Sequence, residues 1–177
     1  SYVDLYSLDY NGCHGCMACK RKGIAEPFKC RFKDGLTPVL ESILQADRLI
    51  AGVPIYFDNV PGGFHSFVER ISFPALSYND YTSMFPGKVD IDMFFTMNAN
   101  EKRWKQVTKA RVGSCLEPLH LLRGELRMFP VFNTLQVKDY SKYEMASFSE
   151  EDKRAARETE FPKALEHAFK VGARTDR

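Results

Sequence analysis

The run Leu49-Ile50-Ala51-Gly52-Val53-Pro54 carries no polar side chain. A strand with one face in water alternates polar and apolar residues. An unbroken apolar run of this length suits a parallel strand covered by helices on both faces. Parallel strands need crossover connections, so this stretch commits the chain to strands alternating with helices around an open sheet, with this strand at its centre. Pro54 then removes a ladder donor, and Ile55-Tyr56-Phe57-Asp58-Asn59 follows with two aromatics and an amide. Ligands of open α/β sheets lie just past the carboxyl ends of strands, so Pro54 to Asn59 is the first candidate binding segment.

The rest of the chain supplies partners for that strand. Tyr2 to Leu8 alternates enough to predict a strand, and Asn11 to Arg31 reads as a loop rich in Gly, Cys and Lys. Thr37 as N-cap and Pro38 at the first helical position predict a helix with Leu36, Val39, Leu40, Ile43 and Leu44 on one face. Pro61-Gly62-Gly63 breaks structure, and Phe64, Phe67, Val68 and Ile71 make the next helical face, ending before Pro74. Residues 74 to 87 are polar and turn-rich. Lys88 to Met97 predicts a second strand, and Asn98 or Asn100 is placed to cap the helix that carries Trp104, Val107 and Ala110. Pro130 to Lys138 predicts a further strand. A charged helix runs from Ser149 to about Gly172, with Glu150, Glu151 and Asp152 in its first turn and Pro162 kinking or restarting it. No repeat, low-complexity tract or linker interrupts this order, so residues 1–177 read as a single domain.

Composition narrows the function classes. A chain of 177 residues with 44% hydrophobic and 27% charged residues can bury a full core. A formal net charge of +2 is too small to argue for nucleic acid or a membrane surface. No apolar run approaches the roughly 20 residues that span a bilayer, and the first residues lack the basic and apolar segments of a signal peptide. Four of the five cysteines lie within residues 13–30 and Cys115 stands apart, which does not look like a secreted disulfide framework. The compartment expected is reducing, hence cytoplasmic. The 13% of aromatic residues suit a large core or a flat ligand, and composition by itself favours the core.

Three pieces in this order and separation resemble the flavodoxin-like NAD(P)H-dependent FMN reductases, and within them the iron–sulfur flavoprotein branch. They are Cys13-His14-Gly15-Cys16-Met17-Ala18-Cys19, then Cys30 with Lys33-Asp34 close behind, then Val53 to Asn59. Phe64 to Arg70 resembles the family's following helix. The resemblance spans about residues 2 to 110 and, loosely, the C-terminal helix. It implies a flavodoxin-like doubly wound parallel sheet in three α/β/α layers, FMN at the strand carboxyl ends, and a homodimer or homotetramer. Pro54, Ile55, Tyr56, Phe57 and Asn59 would then lie along the isoalloxazine edge, with backbone N–H groups toward N5 and O4. Thr96, Met97 and Asn98 match the second ring-contacting loop. The family begins with a further strand, a Ser/Thr/Gly-rich phosphate loop and a helix, a unit of roughly thirty residues. This sequence starts at what would be the second strand. An incomplete sequence is the expectation, ahead of a strand supplied by a partner or of weakened flavin binding.

The candidate sites each carry a plainer alternative. Cys13, Cys16, Cys19 and Cys30 form Cys-x2-Cys-x2-Cys-x10-Cys, a spacing that can turn three thiolates toward one [4Fe-4S] cube and close it with a fourth. Lys20, Arg21, Lys22, Lys29 and Arg31 would favour thiolates there. Zinc, and free or redox-active thiols, remain open alternatives. His14 reads as a loop residue and Cys115 as a small buried one. Tyr56 and Phe57 suit core, interface or ring contact. Asn59 suits a turn or a flavin's pyrimidine edge, and Thr96 and Asn98 suit helix capping or the ring. Lys102, Arg103, Lys105, Lys109 and Arg111 read as a solvated helix face before an NADPH phosphate site. His65, His120 and His167 have no partner spacing, and hydrolase and NTPase motifs are absent. The function implied is an FMN-dependent oxidoreductase that takes hydride from NAD(P)H and passes electrons to a small-molecule or protein acceptor. That step requires no side-chain acid or base, so no catalytic residue is named. The alternatives are a flavin and iron–sulfur electron carrier, and a cysteine-based redox or metal sensor.

Overall fold

The computed structural model describes residues 1–173. Three strands form one parallel sheet in the order β1 (Arg48–Pro54), β2 (Val89–Thr96), β3 (Arg123–Val131). Between and after them come α1 (Thr37–Ile43), α2 (Gly62–Ala75), the three-residue α3 (Glu101–Arg103), a π-helical stretch Trp104–Thr108, α4 (Lys109–Leu116), α5 (Glu150–Thr159) and α6 (Phe161–Gly172). This is an open parallel α/β sheet of the flavodoxin-like type. Among the described residues no helix is long and apolar enough to cross a membrane.

The middle strand is β2, not β1. Val89, Ile91, Met93 and Phe95 alternate along β2 and are almost fully buried, as the period of two requires for one face of a strand. They share one core with Phe64, Phe67, Val68 and Ile71 of α2 and Val112 and Leu116 of α4. On the other face Asp92 is fully buried, its Oδ1 2.6 Å from Arg127 Nε and its Oδ2 3.7 Å from Arg48 Nε. Two arginines from the flanking strands thus neutralise a carboxylate in the middle of the sheet. Arg48 also donates to the Val171 carbonyl at 3.1 Å, which holds the end of α6 against β1. The apolar run of β1 is buried less than its composition implied: Ile50 is 47% exposed. Among the described residues the outer edge of β1 pairs with no strand. It faces a groove of about 880 Å3 whose other wall includes residues 1–6.

Several expected elements sit elsewhere. Tyr2 to Leu8 is not a strand. Asp4 Oδ1 accepts from Tyr6 N at 3.0 Å and closes a 3-10 turn over Leu5–Ser7, a local bond that competes with ladder pairing. The third strand is Arg123–Val131 rather than residues 130–138. Its charged alternation at Arg123, Glu125 and Arg127 looks like a loop until Asp90 and Asp92 of β2 are placed beside it: Asp90 accepts from Glu125 N at 3.0 Å. Gly124 is required in that register, because a β-carbon there would overlap the Val89 carbonyl at the bulge between Val89 and Ile91. Leu36 rather than Thr37 is the N-cap of α1 and has no side-chain cap, and Asp34 Oδ1 accepts from Leu36 N at 3.1 Å in a turn just ahead of the helix. Helix α2 continues through Pro74 to Ala75. Asn100, Ser149 and Pro162 behave as the sequence implies: the first two cap α3 and α5, and Pro162 lies in the first turn of α6.

Candidate functional site

Past Pro54 the chain makes a two-residue turn. Ile55 N donates to the Thr96 carbonyl at 2.9 Å, and Tyr56 and Asn59 exchange both backbone bonds at 2.9 Å. The tip residues Phe57 and Asp58 have φ of +52° and +61°, the φ pattern of a type I′ turn, which favours Asn and Gly and strains a bulky aromatic. Such positions cost about 1–3 kcal/mol each and persist only where the surroundings enforce them. The enforcement comes from behind. Asp58 accepts from Arg103 Nε at 2.9 Å, from Arg103 Nη2, and from Thr108 Oγ1 at 2.6 Å, and Arg111 Nη1 lies 3.8 Å away. These hydrogen bonds from Arg103 and Thr108, with the charges of Arg103 and Arg111, pull the Asp58 carboxyl down to about 2. In a regular α-helix residues 103 and 108 point about 140° apart. The π-helical winding over Trp104–Thr108 brings residues five apart onto one face and lets both reach the same carboxylate.

The pinned turn leaves specific groups free. Among the described residues the N–H groups of Phe57 and Asp58 make no hydrogen bond. Phe57 is 98% exposed at the tip and Tyr56 is 54% exposed beside it. Asn59 Oδ1 is used locally, accepting from Val60 N at 2.9 Å. The second loop is less uniform than its sequence. Thr96 is exposed, Met97 is in the core, and Asn98 is half-buried with its Oδ1 enclosed and without a donor. Lys153, 1% exposed, braces this loop from α5 by donating to the Asn98 carbonyl at 3.3 Å, Asn133 Oδ1 at 3.1 Å and the Thr134 carbonyl at 3.4 Å. Burial pushes its ammonium down from the usual lysine range.

The cysteine loop rides along α2. Tyr10 Oη donates to the Gly63 carbonyl at 2.8 Å at the start of the helix, and Cys13 N donates to Glu69 Oε2 at 3.0 Å midway. Lys20 Nζ closes the far end, donating to the carbonyls of Phe73 at 2.6 Å, Pro74 at 3.0 Å and Leu76. A lysine there satisfies orphan carbonyls and the negative end of the helix dipole. The centre of the attachment is Arg70, 1% exposed. It donates to both oxygens of Asp34 at 2.6 and 3.1 Å, to the carbonyls of Asn11 and Phe32 at 3.0 and 3.1 Å, and to Cys30 Sγ at 3.1 Å. Cys13, Cys16, Cys19 and Cys30 all line one small space of about 20 Å3, room for a single water. Among the described residues no three His, Cys, Asp or Glu side chains close on a point as metal ligands. The four sulfurs as they stand do not form a cage for a cube. Burial, offset in part by Lys20, pushes the Cys19 thiol up. His14 stacks on Phe32 at 4.2 Å, as a loop residue does.

His65 meets a buried thiol from a distant part of the chain. Its Nδ1 lies 2.7 Å from Cys115 Sγ. Burial, reinforced by the Glu69 charge, pushes the Cys115 thiol up, and which of the two groups donates follows from the imidazole tautomer. Arg103, read as part of a solvated face, is the main anchor of Asp58.

An open parallel sheet with an anchored, strained turn past the carboxyl end of one strand is an α/β arrangement whose candidate ligand site lies at that end. The chain belongs to the NADPH-dependent FMN reductase family, whose pattern residues 2–150 match. Among curated relatives, an iron–sulfur flavoprotein of Methanocaldococcus jannaschii is 30% identical over 69 residues, 39% of this chain and 33% of the relative. An iron–sulfur flavoprotein of Archaeoglobus fulgidus is 32% identical over 68 residues, 38% of this chain and 31% of the relative. The aligned part thus spans about a third of the length of the curated relatives. A solved NAD(P)H:quinone oxidoreductase from Methanothermobacter marburgensis superposes with a TM-score of 0.48 at 14% identity, over 60% of this chain and 54% of that one.

Proposed function

We propose that this chain holds FMN in an oxidoreductase reaction that accepts reducing equivalents from NAD(P)H and delivers them to a small-molecule or protein acceptor. The observation that carries the reading is the turn at Phe57 and Asp58: two adjacent backbone N–H groups left unpaired on a turn that Asp58, Arg103 and Thr108 hold in place. Those donors, with the rings of Tyr56 and Phe57, fit the edge of an isoalloxazine. FMN, when bound, supplies the hydride-accepting centre and the ability to pass electrons on. The residues named here bind and orient: the two N–H groups would contact the ring edge, Asn59 fixes the turn through Val60 N, and Lys153 braces the neighbouring loop. No side chain is assigned a proton transfer. A homodimer or homotetramer belongs to the same proposal.

Titrating the protein with FMN and following flavin fluorescence tests the reading directly. Saturable quenching is expected, followed by bleaching of the bound flavin on mixing with NADPH or NADH. Asn59→Ala, which frees Val60 N and loosens the turn, should weaken FMN binding about 3- to 10-fold while the unfolding curve barely moves. Failure of the protein to take up FMN overturns the proposal; bound flavin that neither nicotinamide reduces favours an electron carrier.

The finer reading places a [4Fe-4S] cluster on Cys13, Cys16, Cys19 and Cys30. Its support is that all four line one space. It requires the sulfurs to draw together and Arg70 to release Cys30. Anaerobic reconstitution with iron and sulfide should then leave iron and sulfide bound in the wild type and not in Cys16→Ser. Equal metal in both, or zinc retained in place of iron, removes the cluster from the reading.

A further inference from the structure

A cavity of about 190 Å3 opens where β2 and β3 end, between the segment 132–135 and the junction of α5 with α6. No residue of the Phe57 turn or of the cysteine loop lines it, and it shares only Thr96 with the candidate ring-contacting loop. Phe132, Leu135 and Phe161 supply apolar walls, and Thr96, Asn133 and Arg157 supply polar ones. Arg157 is the informative residue. Its guanidinium carbon lies 4.0 Å from the centre of the Phe161 ring, and among the described residues it has no carboxylate partner. A guanidinium stacked on an aromatic face keeps its N–H edge free for a planar anion.

A second cation stands behind the same wall. Lys153 is sealed beneath Asn133 and Thr134, and the groups that receive its hydrogen bonds are all uncharged oxygens. Its ammonium also lies 5.3 Å from the centre of the Phe148 ring. Two positive charges without a carboxylate partner among the described residues, exposed Arg157 at the rim and buried Lys153 behind the wall, make the cavity attractive to an anion. Size limits which anion. A cavity of about 150 Å3 accepts benzene, so a single ring with one small substituent would fill this one.

We infer that this cavity binds a compact planar anion, a single aromatic ring bearing a carboxylate, with the ring against Phe132 and Phe161 and the carboxylate on Arg157. The inference does not rest on the flavin reading. Benzoate is the probe, benzyl alcohol its neutral counterpart and inorganic phosphate the anion without a ring. Trp104, the single tryptophan, lies 6.5 Å from the Phe132 ring centre, so its indole N–H resonance reports occupancy from behind the wall.

Benzoate should bind saturably by calorimetry at about millimolar concentration or below and should shift the indole resonance. Benzyl alcohol, phosphate and Arg157→Gln should each weaken binding by about tenfold or more, and Arg157→Lys by less. Saturating the protein with FMN should leave benzoate affinity unchanged. Equal affinity for the neutral alcohol, an unaffected Arg157→Gln, or no saturable binding overturns the proposal. Competition by FMN also overturns it, since the cavity would then belong to the flavin site. If FMN fails to bind but benzoate behaves as described, only the flavin reading falls.

Discussion

Arg70→Met should lower the free energy of unfolding by about 3–5 kcal/mol, because it removes one partner of a buried ion pair and leaves the other behind. Methionine keeps most of the volume on the inner face of α2, so the loss reports polar groups rather than a cavity. Asp34, whose side chain is 11% exposed, would keep its charge without a counter-ion. The carbonyls of Asn11 and Phe32 would lose their donor, as would Cys30 Sγ. Burial pushes the Asp34 carboxyl up, but hydrogen bonds from Arg70, Asn11 and Leu36 more than offset this and hold it below its ordinary value. A depressed carboxylate contributes stability above its unfolded pKa and loses it as pH falls through the folded one. The wild type should therefore lose part of its advantage over Arg70→Met in acid. Urea unfolding at two pH values measures both effects. Trypsin gives the local readout: Lys20, Arg21, Lys22, Lys29, Arg31 and Lys33 all lie in the loop that Arg70 holds. Cleavage there should accelerate in the variant well beyond its effect elsewhere. Arg70→Met/Asp34→Asn should recover part of the loss. A single variant as stable as the wild type would mean that Lys20, Tyr10 and Glu69 suffice to hold the loop.

The elements legible in the sequence are those whose signal is local. The apolar runs of β1 and β2 name themselves, as do the faces of α1 and α2, the Asn100 and Ser149 caps and the restart at Pro162. What stayed hidden depends on residues far apart in the chain. Asp58 lay inside the candidate turn without a role, because Arg103 and Thr108 are 45 and 50 positions away and meet it through a π-helical turn that no residue type announces. Strand β3 is not legible because Arg127 is paired across the sheet with Asp92 and the Glu125 N–H with Asp90. Lys153 sits in the charged run Glu150 to Arg157 with nothing local to distinguish it, yet it is the fully buried residue of that run. Spacing also cannot pair His65 with Cys115 across two helices. The order of the motifs placed the candidate turn; which of its groups are available to a ligand emerged only with the backbone hydrogen bonds.

Asp58→Asn should weaken FMN binding about tenfold while costing only about 1–2 kcal/mol of stability. Asparagine accepts positive φ at least as well as aspartate, so backbone strain does not increase. What is lost is the charge that gathers Arg103, Thr108 and Arg111 behind the turn. The stability figure is kept small because the Arg103 side chain is 51% exposed and water screens the pair. The effect on ligand is larger because a turn free to leave its positive-φ geometry no longer holds the Phe57 and Asp58 N–H groups in one direction, and binding must then supply the order that the anchor provided. With the Asp58 carboxyl held at about 2, its contribution is present above the ordinary value near 3.8 and disappears as pH falls through about 2. The variant should therefore flatten that part of the stability profile. Asp58→Ala separates strain from charge: it loses the same anchor and in addition forces alanine to φ +61°, so it should be less stable than Asp58→Asn. Flavin fluorescence titration and urea unfolding of both variants decide the matter. An Asp58→Asn protein with wild-type FMN affinity would show that the anchored turn does not set flavin affinity, and the ring contacts would then have to be sought in the Thr96 to Asn98 loop.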